Sequence, residues 1–370
     1  MKKLIIIGNG FDKAHNLKTN YNEFIENLFT NKFFKDQDSY RDILKTCPSA
    51  INTFDELLEY LKKYYHGLAI SRKKNVSHYA STHHFQFPKF ANYFIELLLL
   101  NYIDDYRWCD IESEYFKELM LFNENDKNTN NPKILNDDFE NVKEHLSNYL
   151  LVEEMNAVKI NSYEYLFKSL ANSSETLILN FNYTRTIENL YKNTIKCPLV
   201  HIHGEIESKN NPIIFGYAAN QEDSDKLLKK NDEYIKNIKR FLYKRTNNET
   251  LLKNFLGSND KLHSEKTDVF IFGHSCGLSD NLILNEIFNH SSINSIKIFF
   301  HESWEKYSAI QTNIHRIMKN DTRCTNLIVN FQDSHRMPQW DDDKVQVQNF
   351  SKYIRKIKEQ YPVSIATFFM

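Results

Sequence analysis

The chain opens on Lys3-Leu4-Ile5-Ile6-Ile7 and runs straight into Gly8-Asn9-Gly10-Phe11-Asp12. An apolar, β-branched run that stops at two glycines one residue apart reads as a buried strand feeding a tight turn and then a helix. Glycines there let the backbone pass close to a ligand, and the helix that follows offers N–H groups to a phosphate. Gly8 and Gly10 match the first two glycines of the dinucleotide-binding fingerprint, but Lys13 stands where the third belongs. The plainer alternative is a tight strand-to-helix connection that binds nothing.

Further strands are predicted at 176–179, 199–203, 213–215, 268–272, 296–300 and 325–331, most of them short, apolar and separated by helical patterns. That is the signature of a mainly parallel sheet with helices on its faces. Between the first strand and the second the pattern is almost wholly helical, notably at 54–61, 90–102 and 139–151, with an Asn- and Asp-rich loop at 123–138. A Lys-rich helical stretch follows at 225–256. The expected organisation is one α/β domain from 1–30 and 172–370, interrupted after its first βα unit by a helical insertion subdomain at 31–171. An ordinary Rossmann arrangement needs a second strand soon after the first helix, ending in an acidic residue that binds ribose. No such strand is visible near 28–40.

Composition narrows the function classes. Aromatic residues make up 14% of the chain (27 Phe and 21 Tyr), ample for a large core. A formal net charge of −1 supplies no field toward nucleic acid or anionic lipid, so neither is expected as a partner. The lysines of 226–245 read as the solvated face of a helix. Cys47, Cys109, Cys197, Cys276 and Cys324 are scattered, odd in number and never spaced C-x-x-C. That usage fits a reducing cytoplasm and disfavours a structural zinc site. The longest apolar stretch, 93–103, carries Glu96 and Asn101 and is too short to cross a bilayer. A soluble, cytoplasmic protein is expected.

Polar clusters follow the other apolar runs: Asn180-Phe181-Asn182-Tyr183-Thr184, His201-Ile202-His203-Gly204-Glu205, Phe215-Gly216-Tyr217, and Gly273-His274-Ser275-Cys276-Gly277-Leu278-Ser279-Asp280. Ligands of open parallel sheets bind outside the carboxyl ends of the strands, where every one of these clusters falls. Asn182 is suited to orient a substrate, and His203 is the residue type that titrates near neutrality. Asp12 is placed to hold a water or a hydroxyl. Each has a structural alternative: Asn182 or Thr184 capping the helix at 187–192, Asp12 capping the first helix, and Ser279-Asp280 capping 282–288. His201 and His203, two apart on one strand face, also suit a metal, but no further ligand set accompanies them in sequence and no metal is expected. His78, His83 and His84 read as surface residues. Gly273-His274-Ser275-Cys276-Gly277 matches the G-x-S-x-G nucleophile elbow, with Asp321 or Asp333 and then His335 in the right chain order for a serine hydrolase. Gly277 would break the helix turn such an elbow requires.

Taken together, Gly8-Asn9-Gly10-Phe11-Asp12 with Ala14, His15, Leu17, Thr19 and Tyr21, then Trp108-Cys109-Asp110-Ile111-Glu112 with Tyr115, and then the Asn180–Thr184, His201–Gly204 and Phe272–Asp280 segments resemble the AbiH abortive-infection family of bacterial phage-defence proteins. That family in turn resembles the sirtuin-like, Rossmann-type NAD-binding fold. The resemblance implies that Gly8 and Gly10 hold a pyrophosphate, that Asn182 contacts the nicotinamide ribose, and that His203, followed by Gly204, acts there. Gly273, His274 and Ser275 would line the adenosine side. Asn9, Phe11, Asp12, His15, Tyr183, Thr184 and Asp280 join them as expected cofactor-binding residues. Two departures stand out: Thr184 occupies a position where sirtuins carry Asp, and the four zinc-binding cysteines of sirtuin deacylases are missing. The resemblance therefore implies hydrolysis of NAD to nicotinamide and ADP-ribose, through an oxocarbenium-like state, when a phage component or partner protein triggers it. A homo-oligomer is expected. The alternative is a sensor that binds NAD or ADP-ribose without cleaving it.

Overall fold

The computed structural model describes residues 1–33, 44–46, 51–63, 89–90, 92–103, 111–124, 132–171, 173–218, 221–260, 265–319 and 321–342. Cys47, His78, His83, His84 and the Trp108-Cys109-Asp110 segment lie outside them.

The opening run forms β1 (Lys2–Ile7), and both of its faces are covered. Leu4 and Ile6 join one core, Ile5 and Ile7 the other. The remaining strands are β2 (Leu44–Thr46), β3 (Lys89–Phe90), β4 (Thr176–Asn180), β5 (Leu199–His201), β6 (Thr267–Phe272), β7 (Ile293–Phe300) and β8 (His335–Arg336). Six of them make one sheet in the order β5-β4-β1-β6-β7-β8, with every pairing parallel. Counted along the chain within that sheet, the order is 3-2-1-4-5-6, the order of a doubly wound α/β sheet. The second strand of that order is β4, which follows the insertion in the chain.

Alternation along each strand sorts the core into two layers. Leu177, Leu179, Val269, Ile271, Ile296 and Ile298 pack with the helices Asn248–Leu256, Asn281–Phe288 and Trp304–Ile317. Ile178, Phe270, Phe272 and Phe299 pack with Asn9–Ala14, Asn161–Leu170 and Thr186–Tyr191. The second layer is aromatic: Phe11 lies 4.9 Å from Tyr163, and Phe272 stacks on Phe299 at 4.1 Å. With both faces buried, strands of this kind show no polar alternation.

Two predicted strands do not form. The segment at 213–215 follows Pro212, which has no N–H for a ladder, and makes only an isolated bridge from Tyr217 to Ile238. At 325–331 the β-branched pattern is overridden by a helix, Thr322–Leu327, whose N-cap Asp321 accepts from the Arg323 N–H at 2.8 Å. Only Ile328 bridges to the sheet, through Ile296. The expected strand 199–203 leaves the ladder after His201. The Lys-rich stretch is not one helix but Gln221–Leu228, Lys239–Leu242 and Asn248–Leu256, with short 3-10 turns between.

The chain folds into two compact units. One comprises Met1–Thr19, Leu150–Ala218 and the chain from Ile238 onward, and it holds the six-stranded sheet. The other comprises Asn20–Tyr149 with Ala219–Asn237. In the second, Phe94 on the helix Tyr93–Ile103, Tyr115 on Ile111–Glu124 and Phe139 on Pro132–Glu154 share an aromatic centre, with Tyr115 stacked on Phe139 at 4.1 Å. The Pro132–Glu154 helix takes in 132–138, part of the expected loop, with a proline at its first position, where the missing N–H costs nothing. β2 and β3 pair antiparallel, so this region is not wholly helical. No described helix is long and apolar enough to cross a membrane.

The carboxyl ends of β1 and β6 meet backbone to backbone. The Gly10 N–H donates to Gly273 O at 2.8 Å, and the Gly8 N–H to Phe272 O at 3.0 Å. A Cβ on Gly10 would stand 2.8 Å from Gly273 Cα, and one on Gly8 would stand 2.6 Å from His274 Cα. Gly273 itself sits at φ +67°, where a Cβ would fall 2.2 Å from the Phe11 nitrogen. Gly257 shares a positive φ of +81° but has nothing within 4 Å. Gly257→Ala should therefore cost only backbone strain, about 1–2 kcal/mol. Gly273→Ala adds overlap with the first turn of the Asn9–Ala14 helix and should cost about 3 kcal/mol or more. Equilibrium denaturation of the two variants checks this; equal losses would mean that the turn-to-turn contact is not tight.

Candidate functional site

The carboxyl edge of the sheet carries a buried polar network centred on Asp280. One carboxylate oxygen, Oδ1, accepts from Lys239 Nζ at 3.2 Å and lies 3.3 Å from His203 Nε2. The other, Oδ2, lies 3.3 Å from His274 Nε2. His274 Nδ1 accepts from the Cys276 N–H at 2.9 Å, so the ring proton sits on Nε2 and points at the carboxylate. His203 Nε2 is also 3.0 Å from the Tyr243 hydroxyl. Phe181, just past β4, has its ring edge-on to both imidazoles, 5.1 Å from His203 and 4.3 Å from His274. Burial opposes the charge of Asp280, but Lys239, His203 and His274 outweigh it and hold the carboxyl far below its ordinary range. His203 is pushed down to about 3, first by burial and then by the Lys239 ammonium, with Asp280 opposing. It is a neutral imidazole in a filled network, not the near-neutral base expected of it. Asp280 stands at the N-terminus of the Asn281–Phe288 helix but makes no cap bond, because both of its oxygens face this network.

Beside this network lies a second carboxylate whose valences are not filled. Asp12 is inside the Asn9–Ala14 helix, not at its cap. Its Oδ2 accepts from Thr184 Oγ1 at 2.6 Å, and Thr184 in turn accepts from Thr186 Oγ1 at 3.2 Å. Its Oδ1 is buried without a partner, and the residue is 2% exposed. Burial raises it to about 6, against the lowering effect of the Thr184 bond and of the nearby Thr186 and Asn182 side chains. Asn182 donates to Gly8 O at 3.2 Å, tying the end of β4 to the turn after β1. Neither Asn182 nor Thr184 caps the Thr186–Tyr191 helix, whose N-cap residue is Arg185.

His201 and His203 do not converge on one point. His201 Nε2 faces Glu188 Oε1 at 2.6 Å and its Nδ1 faces Asn182 O at 3.1 Å. Burial alone would lower His201, but Glu188 overrides it and raises its pKa. Several other expected site residues belong to the frame. Phe11 and His15 are fully buried in the aromatic layer, with His15 bonded to Phe11 O at 2.7 Å and to the Tyr191 hydroxyl at 2.8 Å. Burial lowers His15 to about 4. Asn9 braces Thr19, donating to its carbonyl at 3.2 Å and accepting from its hydroxyl. Gly204 packs against Pro212, whose carbonyl oxygen would lie 2.2 Å from a Cβ there. Tyr183 is half-buried, 6.2 Å ring to ring from His203. The N–H groups of Gly8, Gly10 and Phe11 are bonded to Phe272, Gly273 and Gly8 carbonyls, so these three donors are not available to a phosphate.

Ser275 is exposed, and among the described residues no imidazole reaches its hydroxyl. The left-handed position of this turn is taken by the buried Cys276, at φ +54°, whose thiol burial pushes up, away from the thiolate. The structure does not assemble a hydrolase elbow here.

Lys239 and Tyr243 were not legible as site residues. Lys239 is 0% exposed, although its neighbours in the Lys-rich stretch read as a solvated face. The only signal was local: Lys239 follows Ile238 and precedes Leu242 and Tyr243, a run that buries its apolar members.

A family model described as "Bacteriophage abortive infection AbiH" matches residues 4–302 of the chain. No curated protein matches it.

The raised pKa of Asp12 is also a statement about stability. The fold favours its protonated form, so stability falls as pH rises from the ordinary 3.8 to about 6 and stays lower above that. Asn is the neutral isostere of the protonated acid. Asp12→Asn should therefore stabilise the protein at about pH 8 by on the order of 2–3 kcal/mol, with the gain vanishing below about pH 4. Denaturant melts at both pH values check this; a loss of stability at the higher pH would show that the charged form is held by contacts the structure lacks.

Proposed function

The chain belongs to the bacteriophage abortive infection AbiH family, and from that membership we propose a phage-defence protein that binds NAD at the carboxyl edge of its sheet and hydrolyses it to nicotinamide and ADP-ribose when triggered. One observation carries the reading. At the carboxyl edge of a doubly wound sheet, the edge where such folds bind nucleotides, an aspartate with an unfilled oxygen stands beside an asparagine at the ends of β1 and β4. The resemblance to sirtuins left Thr184 where an Asp is expected. Here Thr184 Oγ1 donates to Asp12 at 2.6 Å, so the helix after the neighbouring parallel strand β1 brings a carboxylate beside that position.

In this reading Asn182 orients the nicotinamide ribose, and the bond from C1′ to the nicotinamide nitrogen breaks with its electron pair leaving on neutral nicotinamide. Water adds to the oxocarbenium-like carbon, and Asp12 takes its proton. A base that ionises near 6 is matched to this task at neutral pH. His203, bonded to Tyr243 and joined to Asp280, acts as a positioning residue. Constitutive NAD loss would kill the host, so a phage component, a partner protein or assembly into a homo-oligomer releases the activity. A second reading, binding without cleavage, is favoured by the burial of Asp12, which closes it to solvent in this state.

The test is calorimetric titration with NAD, followed by nicotinamide release in the presence of phage-infected lysate. Wild type should bind NAD, and Asn182→Ala should lose that binding. Turnover should rise with pH through about 6 and then level off; Asp12→Asn should lower it by about 10²–10⁴ and remove the rise. Binding without nicotinamide in any lysate selects the second reading. No binding at all overturns both.

A further inference from the structure

We infer that Glu188, His201 and Glu205 form a divalent-cation site at the carboxyl end of β5. One donor atom from each lies within 4.8 Å of the other two. His201 Nδ1 faces the main-chain oxygen of Asn182 at 3.1 Å, an atom that can only accept, with Asn180 Nδ2 at 3.4 Å. Metal-binding imidazoles commonly donate one ring N–H to a backbone carbonyl in this way, which fixes the ring and turns the other nitrogen's lone pair outward. That other nitrogen, Nε2, meets a second acceptor, Glu188 Oε1, at 2.6 Å. Two acceptors in contact need a positive charge, a proton or a metal ion, between them.

The surroundings agree with a metal as that charge. The second oxygen of Glu188 is buried without a partner, and Glu205 adds another carboxylate. Two carboxylates with a neutral imidazole carry a charge that one divalent ion cancels. The nearby Arg185 does not supply it, because its guanidinium pairs with Glu154 at 3.3 Å and Glu207 at 3.9 Å. One nitrogen and two oxygen donors suit zinc or manganese. Ligands about 2.1 Å from one ion stand roughly 3–3.4 Å apart, so Glu188 needs to withdraw from Nε2 by less than about 1 Å.

Sequence spacing conceals the set, since Glu188 is on the Thr186–Tyr191 helix, His201 ends β5 and Glu205 lies in the turn beyond. The neighbouring His203 takes no part and turns instead to Asp280. An ion here would join three segments and, through the His201 to Asn182 hydrogen bond, hold the backbone of Asn182. Its role is positional, and it does not depend on NAD being the ligand of the adjoining site.

The full chain, stripped with chelator and dialysed, is titrated with Zn²⁺ and separately with Mn²⁺ by calorimetry, with bound metal measured by elemental analysis. One equivalent of at least one of the two ions should bind and should raise the melting temperature. Glu188→Gln and Glu205→Gln should each weaken binding by about tenfold or more. Both should also abolish the rise in melting temperature. Glu249→Gln, a carboxylate paired with Lys244 and Lys253, should change neither. Failure to take up one equivalent of either ion, or affinities unmoved by both ligand substitutions, would show that a proton alone bridges His201 and Glu188 and would overturn the site.

Discussion

The Asp280 carboxylate is the contact on which the carboxyl edge of the sheet depends. β5 and β6 are three strand spacings apart, roughly 14 Å. His203 and His274, from the turns beyond those two strands, nevertheless meet on the same carboxylate, over the ring of Phe181. A carboxylate only accepts, so every group around it must donate. His274 does so through a tautomer set by the Cys276 N–H, and Lys239 supplies the charge that makes the burial tolerable. Removing one partner would leave an uncompensated buried charge, which is far costlier than the pair is stabilising. The network is full, and a full network rigidifies rather than binds.

The same edge therefore carries two carboxylates with opposite fates. Asp280 is surrounded by donors and a cation and stays ionised under all ordinary conditions. Asp12 receives a hydroxyl on one oxygen and nothing on the other, and burial leaves it near neutrality. Where environments drive two acids apart in this way, the frame and the acting group can be told from one another. Both were expected at a cofactor, with helix capping as the alternative for each. Asp12 is the one left free to exchange a proton, and Asp280 is the one that holds two histidines in place.

Much of this was legible because local signals and tertiary demands agreed. The run Ile5-Ile6-Ile7 had to be a doubly covered strand, and the polar clusters at Asn182, His203 and His274 had to fall at one edge once the strands ran parallel. What could not be read was anything set by partners distant in sequence. Lys239 looked like one of many solvated lysines until Asp280, 41 residues on, drew it inside. Glu188 and Glu205 looked unremarkable without the fold that brings them to His201. The β-pattern at 325–331 lost to the cap bond of Asp321, a short-range competitor that propensity does not weigh. Phe11 and His15 sit beside the glycines in the motif but on the inward face of the helix, so adjacency in sequence misplaced them in the site.

The glycine turn itself acquires a different meaning. Gly8 and Gly10 read as a place where a phosphate approaches the backbone, but their N–H groups are bonded to the carbonyls of Phe272 and Gly273. Their lack of a side chain is required by the turn of β6 pressing against them. Those N–H groups are closed to an anion, and the buried cation of the Asp280 network is already engaged there. Glu188 and Glu205 are met by His201 and the proposed cation, so the charge left beside Asn182 is the Asp12 carboxylate. An edge of that sign does little for a pyrophosphate. It is far better suited to the positively charged nicotinamide ring and to the positive charge that grows on the ribose as the ring departs. In the nucleotide reading, this turn marks the reacting end of the ligand, not its phosphates.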